Sequence, residues 1–268
     1  MTEAVSTPMR RKIEDILSDI AEQEDVTILL AVESGSRAWG FHSPDSDYDV
    51  RFIYARPVDW FLTLGPTRDV IERPIDDLLD VSGWQLNKAL GLALKGNAVL
   101  GEWLQSPIIY RSNPDAHARI TDFCQKVTQP RPMMWHYLSL AEKHQKRAHL
   151  DDGRVRLKRL FYALRPALAL RWMLVNDYRM PPMDMTRLCD GANLDAAEAR
   201  AIAALIALKI ARVETAVGDA PDPVILRLID SALEQTRDAL PNVADAPPDA
   251  ALEHEADRLH IALTKSLT

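Results

Sequence analysis

The stretch "ESGSRAWGFHSPDSDYDVRF", residues 33–52, decides how this chain is read. It begins at the end of "VTILLAVE" (26–33), a β-branched and aliphatic run too short for a typical helix, which reads as a buried strand. It runs into "DYDVRFIYA" (47–55), where Asp47, Asp49 and Arg51 alternate with Tyr48, Val50 and Phe52, the period-2 pattern of a second strand. Between the two stand Gly35, Gly40 and the turn formers Ser43, Pro44, Asp45 and Ser46. A connection of about ten residues holds a short helix or a tight loop but no crossover helix, so the strands are expected to be antiparallel or part of a mixed sheet.

On one strand, Asp47 and Asp49 send their carboxylates to the same side, about 7 Å apart. Two such neighbours repel, and a divalent cation between them removes the cost. Magnesium fits, because it takes oxygen ligands and commonly only one or two protein carboxylates plus substrate phosphates. Opposite them, the turn Ser34, Gly35 and Ser36 brings backbone close to a ligand and offers amide and hydroxyl donors to phosphate oxygens, with Arg37 adding charge. A nucleoside triphosphate would complete the shell. In-line phosphoryl transfer between two metal ions then requires a third carboxylate. Asp80 in "LLDVSGW" is the best placed, as general base or as metal ligand, because it projects from an otherwise apolar strand just before a helix. Asp76 and Asp77 compete for that place but follow Pro74 and read as turn residues. Taken alone, a glycine turn before Asp-x-Asp reads equally well as an ordinary turn entering a solvated strand edge.

The rest of the chain narrows the function classes. Its 268 residues suit two ordinary domains, and 47% hydrophobic with 26% charged residues supports a packed core. A net charge of −7 excludes a generally basic nucleic-acid binder, so a nucleic-acid partner would have to be met by a local patch. The two cysteines, Cys124 and Cys189, are too few and too widely spaced for a disulfide framework or a structural zinc, and both read as buried thiols. His136, His144 and His149 lack the i, i+4 arrangement with a carboxylate found on zinc-protease helices. No apolar run reaches the ~18 residues of a membrane span, and the start has no continuous apolar core, so a cytoplasmic protein without a membrane partner is expected.

In "RRKIEDILSDIAEQE" (10–24), Ile13, Ile16, Leu17 and Ile20 recur at helical spacing. "RDVIER" (68–73) and "DDLLDVSG" (76–83) read as short strands, and "WQLNKALGLALKGN" (84–97) as a helix with Gly96 and Asn97 at its C-terminal cap. "SPIIYRSNP" (106–114) reads as a connector, after which amphipathic runs predict helices over 115–127, 132–149, 154–176, 195–217, 222–239 and 249–266. The expected fold is therefore α+β. A catalytic domain with a small mixed sheet covers residues 1–112, and an all-helical substrate- or nucleotide-binding domain covers 113–268. Residues 131–171 hold ten basic side chains against three acidic ones. Within them Lys158, Tyr162 and Arg165 share a helix face suited to a triphosphate or an RNA backbone, with Tyr162 able to stack on a base. The alternative for this segment is a solvated face paired with acidic residues elsewhere.

A Gly-Ser turn followed about ten residues later by Ser-Asp-x-Asp on a strand resembles the DNA polymerase β type nucleotidyltransferases. "GSRAWGFHSPDSDYDVRFIY", "DVSGWQLNKAL" and "GNAVLGEWLQSPIIY" resemble in particular the RNA repair pathway DNA polymerase β family, and the similarity runs on through "VRLKRLFYALRPALALRWM" and "PPMDM", about residues 28–190. The resemblance implies magnesium-dependent transfer of a nucleoside monophosphate from an NTP to a hydroxyl, with RNA, including a tRNA end, as the implied acceptor. By position it gives Gly35 and Ser36 to the triphosphate, Asp47 and Asp49 to the metal ions, and Asp80 to the third carboxylate. Gln85 stands where that pattern often has an acidic residue. A protein or small-molecule acceptor, or a nucleotide-binding regulator without turnover, are the competing expectations.

Overall fold

The structure is a computed structural model that describes residues 4–64, 68–75, 78–151, 154–211, 217–218, 220–244 and 248–266. The Ser6 hydroxyl caps the first helix by accepting the Met9 amide, and Pro8 sits in the first turn, where its missing N–H costs nothing. That helix, α1 (Thr7–Gln23), turns Ile13, Leu17 and Ile20 inward and leaves its charges outside. Then follow β1 (Thr27–Glu33), the single-turn α2 (Ser36–Trp39), β2 (Tyr48–Ala55), a 3-10 turn at Val58–Leu62, β3 (Val70–Glu72), β4 (Leu79–Gln85), α3 (Leu86–Leu94), α4 (Ala98–Leu104), β5 (Ile109–Ser112) and α5 (Pro114–Lys126). The remainder is α6 (Pro130–Ala148), β6 (Val155–Arg156), α7 (Leu157–Val175), α8 (Met185–Gly191), α9 (Ala196–Ile210), β7 (Val217–Gly218), α10 (Pro223–Ala239), a 3-10 turn at Leu240–Asn242 and α11 (Ala250–Ser266).

Two compact units result. One comprises residues 1–38, 47–128 and 246–268, the other 39–46 and 129–245. The first is built on a five-stranded sheet of order β3-β4-β2-β1-β5. Only β2 and β4 run parallel; the other pairs are antiparallel, which makes the sheet mixed. Strand alternation sorts its two faces. Val50, Phe52 and Tyr54 of β2 with Leu79 and Val81 of β4 pack with Ile13, Leu17 and Ile20 of α1. Ile53 and Ala55 of β2 face Leu86 and Leu90 of α3, Trp103 of α4, Ile120 and Phe123 of α5, and Leu259 and Leu263 of α11. Each fully buried Leu or Ile stabilises by about 1.5–3 kcal/mol, so these two layers hold the sheet rigid beneath whatever its strand ends carry.

In the second unit α6, α7 and α10 pack on one another, and α7 also meets α8. α7 is buried almost throughout, from Leu157 and Leu160 to Leu170 and Met173. Asp195 begins α9 with a reciprocal capping box to Glu198.

Several expectations are corrected. The connector at 106–114 contains a strand, β5, paired with β1; its flanking Pro107 and Pro114 look like loop chemistry, but four residues suffice for an edge strand. The helix expected over 84–97 starts later, because β4 runs through Gln85, but α3 closes on the expected cap: Gly96, at φ +66°, donates its amide to the Ala93 carbonyl and Asn97 donates its amide to the Leu92 carbonyl, while the Asn97 side chain also caps α4, which was not anticipated, by accepting the Leu100 amide. The C-terminal part is helical as expected, with one two-residue strand pair, β6 with β7, and the further helix α8 in addition. The boundary expected at residue 112 differs from the compact units, because α5 and α11 complete the core of the sheet unit. Asp76 and Asp77 lie outside the described residues.

Candidate active site

Because β1 and β2 are antiparallel neighbours, the end of β1 and the start of β2 come together, with Glu33 opposite Val50. The parallel pairing of β2 with β4 sets Asp49 directly across from Asp80. Residues directly opposite on adjacent strands point to the same face, so the register alone brings these two carboxylates side by side. Both are about one-third exposed (28% and 33%), on the sheet face shared with Ile53. Arg51, two residues along β2 and therefore on that face, lays one guanidinium nitrogen between them: Nη2 is 2.7 Å from Asp80 Oδ2 and 3.3 Å from Asp49 Oδ1. Its Nη1 donates to the carbonyls of Val50 and Asp80, each at 3.0 Å.

Gly35 closes the other side of Asp49. Its φ of +96° lies in the left-handed region that favours glycine, and a Cβ placed there would come within 2.2 Å of Asp49 Oδ2. The carboxylate thus rests against the turn. The Ser34 amide is already used, donating to the Asp49 carbonyl at 2.7 Å. Ser36 opens α2 and is nearly buried.

Behind Asp49 lies a polar cluster that the sequence reading passed over. Glu33 is fully buried. Its Oε1 accepts the Asp49 backbone amide at 2.8 Å, and its Oε2 accepts the Tyr110 hydroxyl. Burial pushes the Glu33 carboxyl from its ordinary 4.5 up to about 7, against the opposing pull of the Tyr110 and Asp49 donors. Tyr110 is raised too, chiefly by burial and then by the adjacent Glu33 charge. The sequence signal for Glu33 was an acidic residue closing an otherwise apolar strand; the signal for Tyr110 vanished with the missed strand β5.

The other expected site residues are placed as follows. Asp47 precedes β2 by one residue and is exposed. Arg37 is 6% exposed and held by structure: Nη1 donates to the Ala4 carbonyl at 2.7 Å, Nε to the Asp47 carbonyl at 3.1 Å, and the guanidinium stacks 3.7 Å over the Tyr48 ring. Arg37 therefore fixes the entry to β2. Among the described residues no group of three or more His, Cys, Asp or Glu side chains is set to hold a metal ion; the side-by-side carboxylates are the pair Asp49 and Asp80.

In the other unit, Arg165 is 2% exposed, donates Nε and Nη2 to the Met183 carbonyl at 3.1 and 3.0 Å, and lies 4.6 Å over the Trp39 ring. Tyr162 meets Trp39 edge-on at 5.2 Å and His144 at 5.1 Å, and Lys158 is half-buried one turn before it. Elsewhere in the basic segment Arg171 pairs with Glu198 at 2.6 Å. Both cysteines are free and half-buried, and no helix among the described residues is long and apolar enough to cross a membrane.

The chain is similar in sequence to known proteins. The protein named YcgL of Bacillus subtilis (strain 168), described as uncharacterized, is 44% identical over 180 residues, which is 67% of this chain and 68% of that one. The crystal structure of a nucleotidyltransferase-like protein from Exiguobacterium sibiricum 255-15 covers 85% of this chain and 75% of its own at 13% identity, with a TM-score of 0.30, a likeness that says nothing about the site. The profile of the RNA repair pathway DNA polymerase beta family matches residues 9–261, from within α1 to within α11 and well past the 28–190 stretch that carries the motifs. A match that spans both compact units makes the whole chain one member of that family: it belongs to the RNA repair pathway DNA polymerase beta family, whose activity is of the nucleotidyltransferase kind.

Proposed function

We propose that the protein is a magnesium-dependent nucleotidyltransferase that moves a nucleoside monophosphate from an NTP to a hydroxyl at an RNA end, a tRNA end among them, with release of pyrophosphate. The observation that carries this reading is the in-register Asp49–Asp80 pair, with Asp49 lying against a glycine turn that leaves no Cβ in the way. The donor set fits magnesium. Two carboxylates, each about one-third exposed, with a cationic nitrogen already between them are where a compact dication is favoured, and the remaining ligands would come from phosphate and water. Asp49 and Asp80 would hold the ion or ions, with exposed Asp47 joining from the strand entry. When bound, magnesium neutralises the triphosphate and the developing charge of the leaving pyrophosphate.

The chain's own residues do the rest. Gly35 and Ser36 admit the phosphates, since Ser34 has spent its amide on Asp49. Glu33 holds the Asp49 amide and so fixes the start of β2. Asp80, one-third exposed, accepts the proton of the attacking hydroxyl at a carboxylate oxygen. Lys158 and Tyr162 remain the helical residues assigned to nucleotide or RNA, whereas Arg165 is spent on a backbone carbonyl.

The test is incubation with labelled NTPs, magnesium and total RNA. Label is expected in RNA. Label in protein or in a small molecule would replace the acceptor, and NTP binding without transfer would make the protein a regulator.

A further inference from the structure

The established family and the proposed chemistry leave Arg51 without a role, yet its Nη2 lies 2.7 Å from one of the paired carboxylates and 3.3 Å from the other. It is only 18% exposed, and both terminal nitrogens are bound: Nη1 by two backbone carbonyls, Nη2 by one oxygen from each carboxylate. Two carboxylates in register on neighbouring strands repel each other. Without a cation between them the pair would splay apart. Arg51 supplies that cation from the protein itself.

The same contact has a second consequence. Nη2 touches one oxygen of each carboxylate, Asp49 Oδ1 and Asp80 Oδ2, and so takes up the place between them that a dication held by both would need. A guanidinium and a dication cannot share that place. Because the guanidinium is planar and rigid, Nη2 leaves the pair only if the whole group turns and gives up at least one of the Nη1 bonds to the Val50 and Asp80 carbonyls.

We propose that Arg51 is an internal counter-ion that neutralises Asp49 and Asp80 before a divalent cation arrives and that competes with the cation for the pair. This inference rests on the reading of Asp49 and Asp80 as the metal-holding pair. A merely structural arginine predicts that its removal weakens metal binding by loosening the site; a competing counter-ion predicts the reverse.

The experiment is Mn2+ titration of the full chain followed by electron paramagnetic resonance, together with thermal melting with and without Mn2+. Arg51→Met, of similar length and uncharged, is expected to bind Mn2+ about tenfold more tightly than wild type. It should also melt lower than wild type without the ion and recover more of its stability when the ion is added. Arg51→Lys keeps the charge but loses the fork, and should fall between the two; it serves in place of Arg51→Met if that variant does not fold. Unchanged or weaker Mn2+ binding by the folded variant overturns the counter-ion. Asp49→Asn with Asp80→Asn separates the two ideas. If that double variant binds Mn2+ like wild type, the metal-holding pair itself is wrong; if it loses Mn2+ while Arg51→Met is unchanged, only the role of Arg51 fails.

Discussion

The start of β2 and the middle of α7 both carry charges at a spacing that puts them on one face, and the fold uses them in opposite ways. Asp49 and Asp80 sit on a sheet face, each about one-third exposed, with an arginine between them. Arg165 is buried at 2% exposure, with its donors given to the Met183 carbonyl and its plane set on Trp39. Strand alternation leaves two faces to choose from, and a costly pair of carboxylates settles the choice in favour of the wetter end. A helix buried nearly all round offers no such choice, and a charge there survives only by finding an acceptor, here one 18 residues away in sequence.

That contrast can be broken at either side. The largest effect is expected from Asp49→Asn with Asp80→Asn, which should cut nucleotidyl transfer by about a thousandfold or more, some 4 kcal/mol of barrier, while denaturation shows stability within about 1 kcal/mol of wild type. A loss of stability comparable to the loss of activity would make the pair structural. Arg165→Ala should do the converse. Leaving the Met183 carbonyl and the Trp39 face without their partner costs about 3 kcal/mol in urea unfolding, and an unchanged midpoint with weakened NTP affinity would move Arg165 to the substrate.

Glu33 sharpens the comparison from within the sheet. Its carboxyl stays protonated in the fold up to about pH 7, whereas the unfolded chain ionises it near 4.5. Its contribution to stability is therefore complete below pH 4.5 and is lost as the pH rises towards 7. Glu33→Gln keeps the shape, with an oxygen for the Asp49 amide and an NH2 for the Tyr110 oxygen. The variant should match wild type near pH 4.5 and exceed it by up to about 3 kcal/mol at pH 8; parallel stability curves across that range would contradict the burial argument. The smallest effect is expected from Gly35→Ala. Its methyl must push Asp49 aside at a positive φ, lowering transfer about tenfold, roughly 1.4 kcal/mol of barrier, with a modest fall in melting temperature.

Much of this was legible beforehand. A short β-branched run placed β1, period-2 alternation placed β2, and the turn formers limited the connection to a short helix or a tight loop, because each signal is local. Helices α5 to α7 and α9 to α11 followed from their apolar spacing to within a few residues at most ends, with the C-terminal end of α9 overrun. What escaped depends on partners distant in sequence. The strand β5 exists because β1 offers it an edge, and Tyr110 reaches Glu33 only through that pairing. Arg51 read as one more polar residue on an alternating strand, and only the β2–β4 register reveals that it lies between two carboxylates. Arg37 looked like a phosphate ligand because it follows the glycine turn, but its acceptors are carbonyls at Ala4 and Asp47.

The most direct measurement is a crystal structure with Mn2+ and a non-hydrolysable NTP analogue, read in the anomalous signal of the metal. The account predicts a manganese peak bound by carboxylate oxygens of both Asp49 and Asp80, with triphosphate oxygens against Gly35 and Ser36. A metal bound away from that pair, or a triphosphate seated elsewhere with Asp49 and Asp80 still clasped on Arg51, would contradict it.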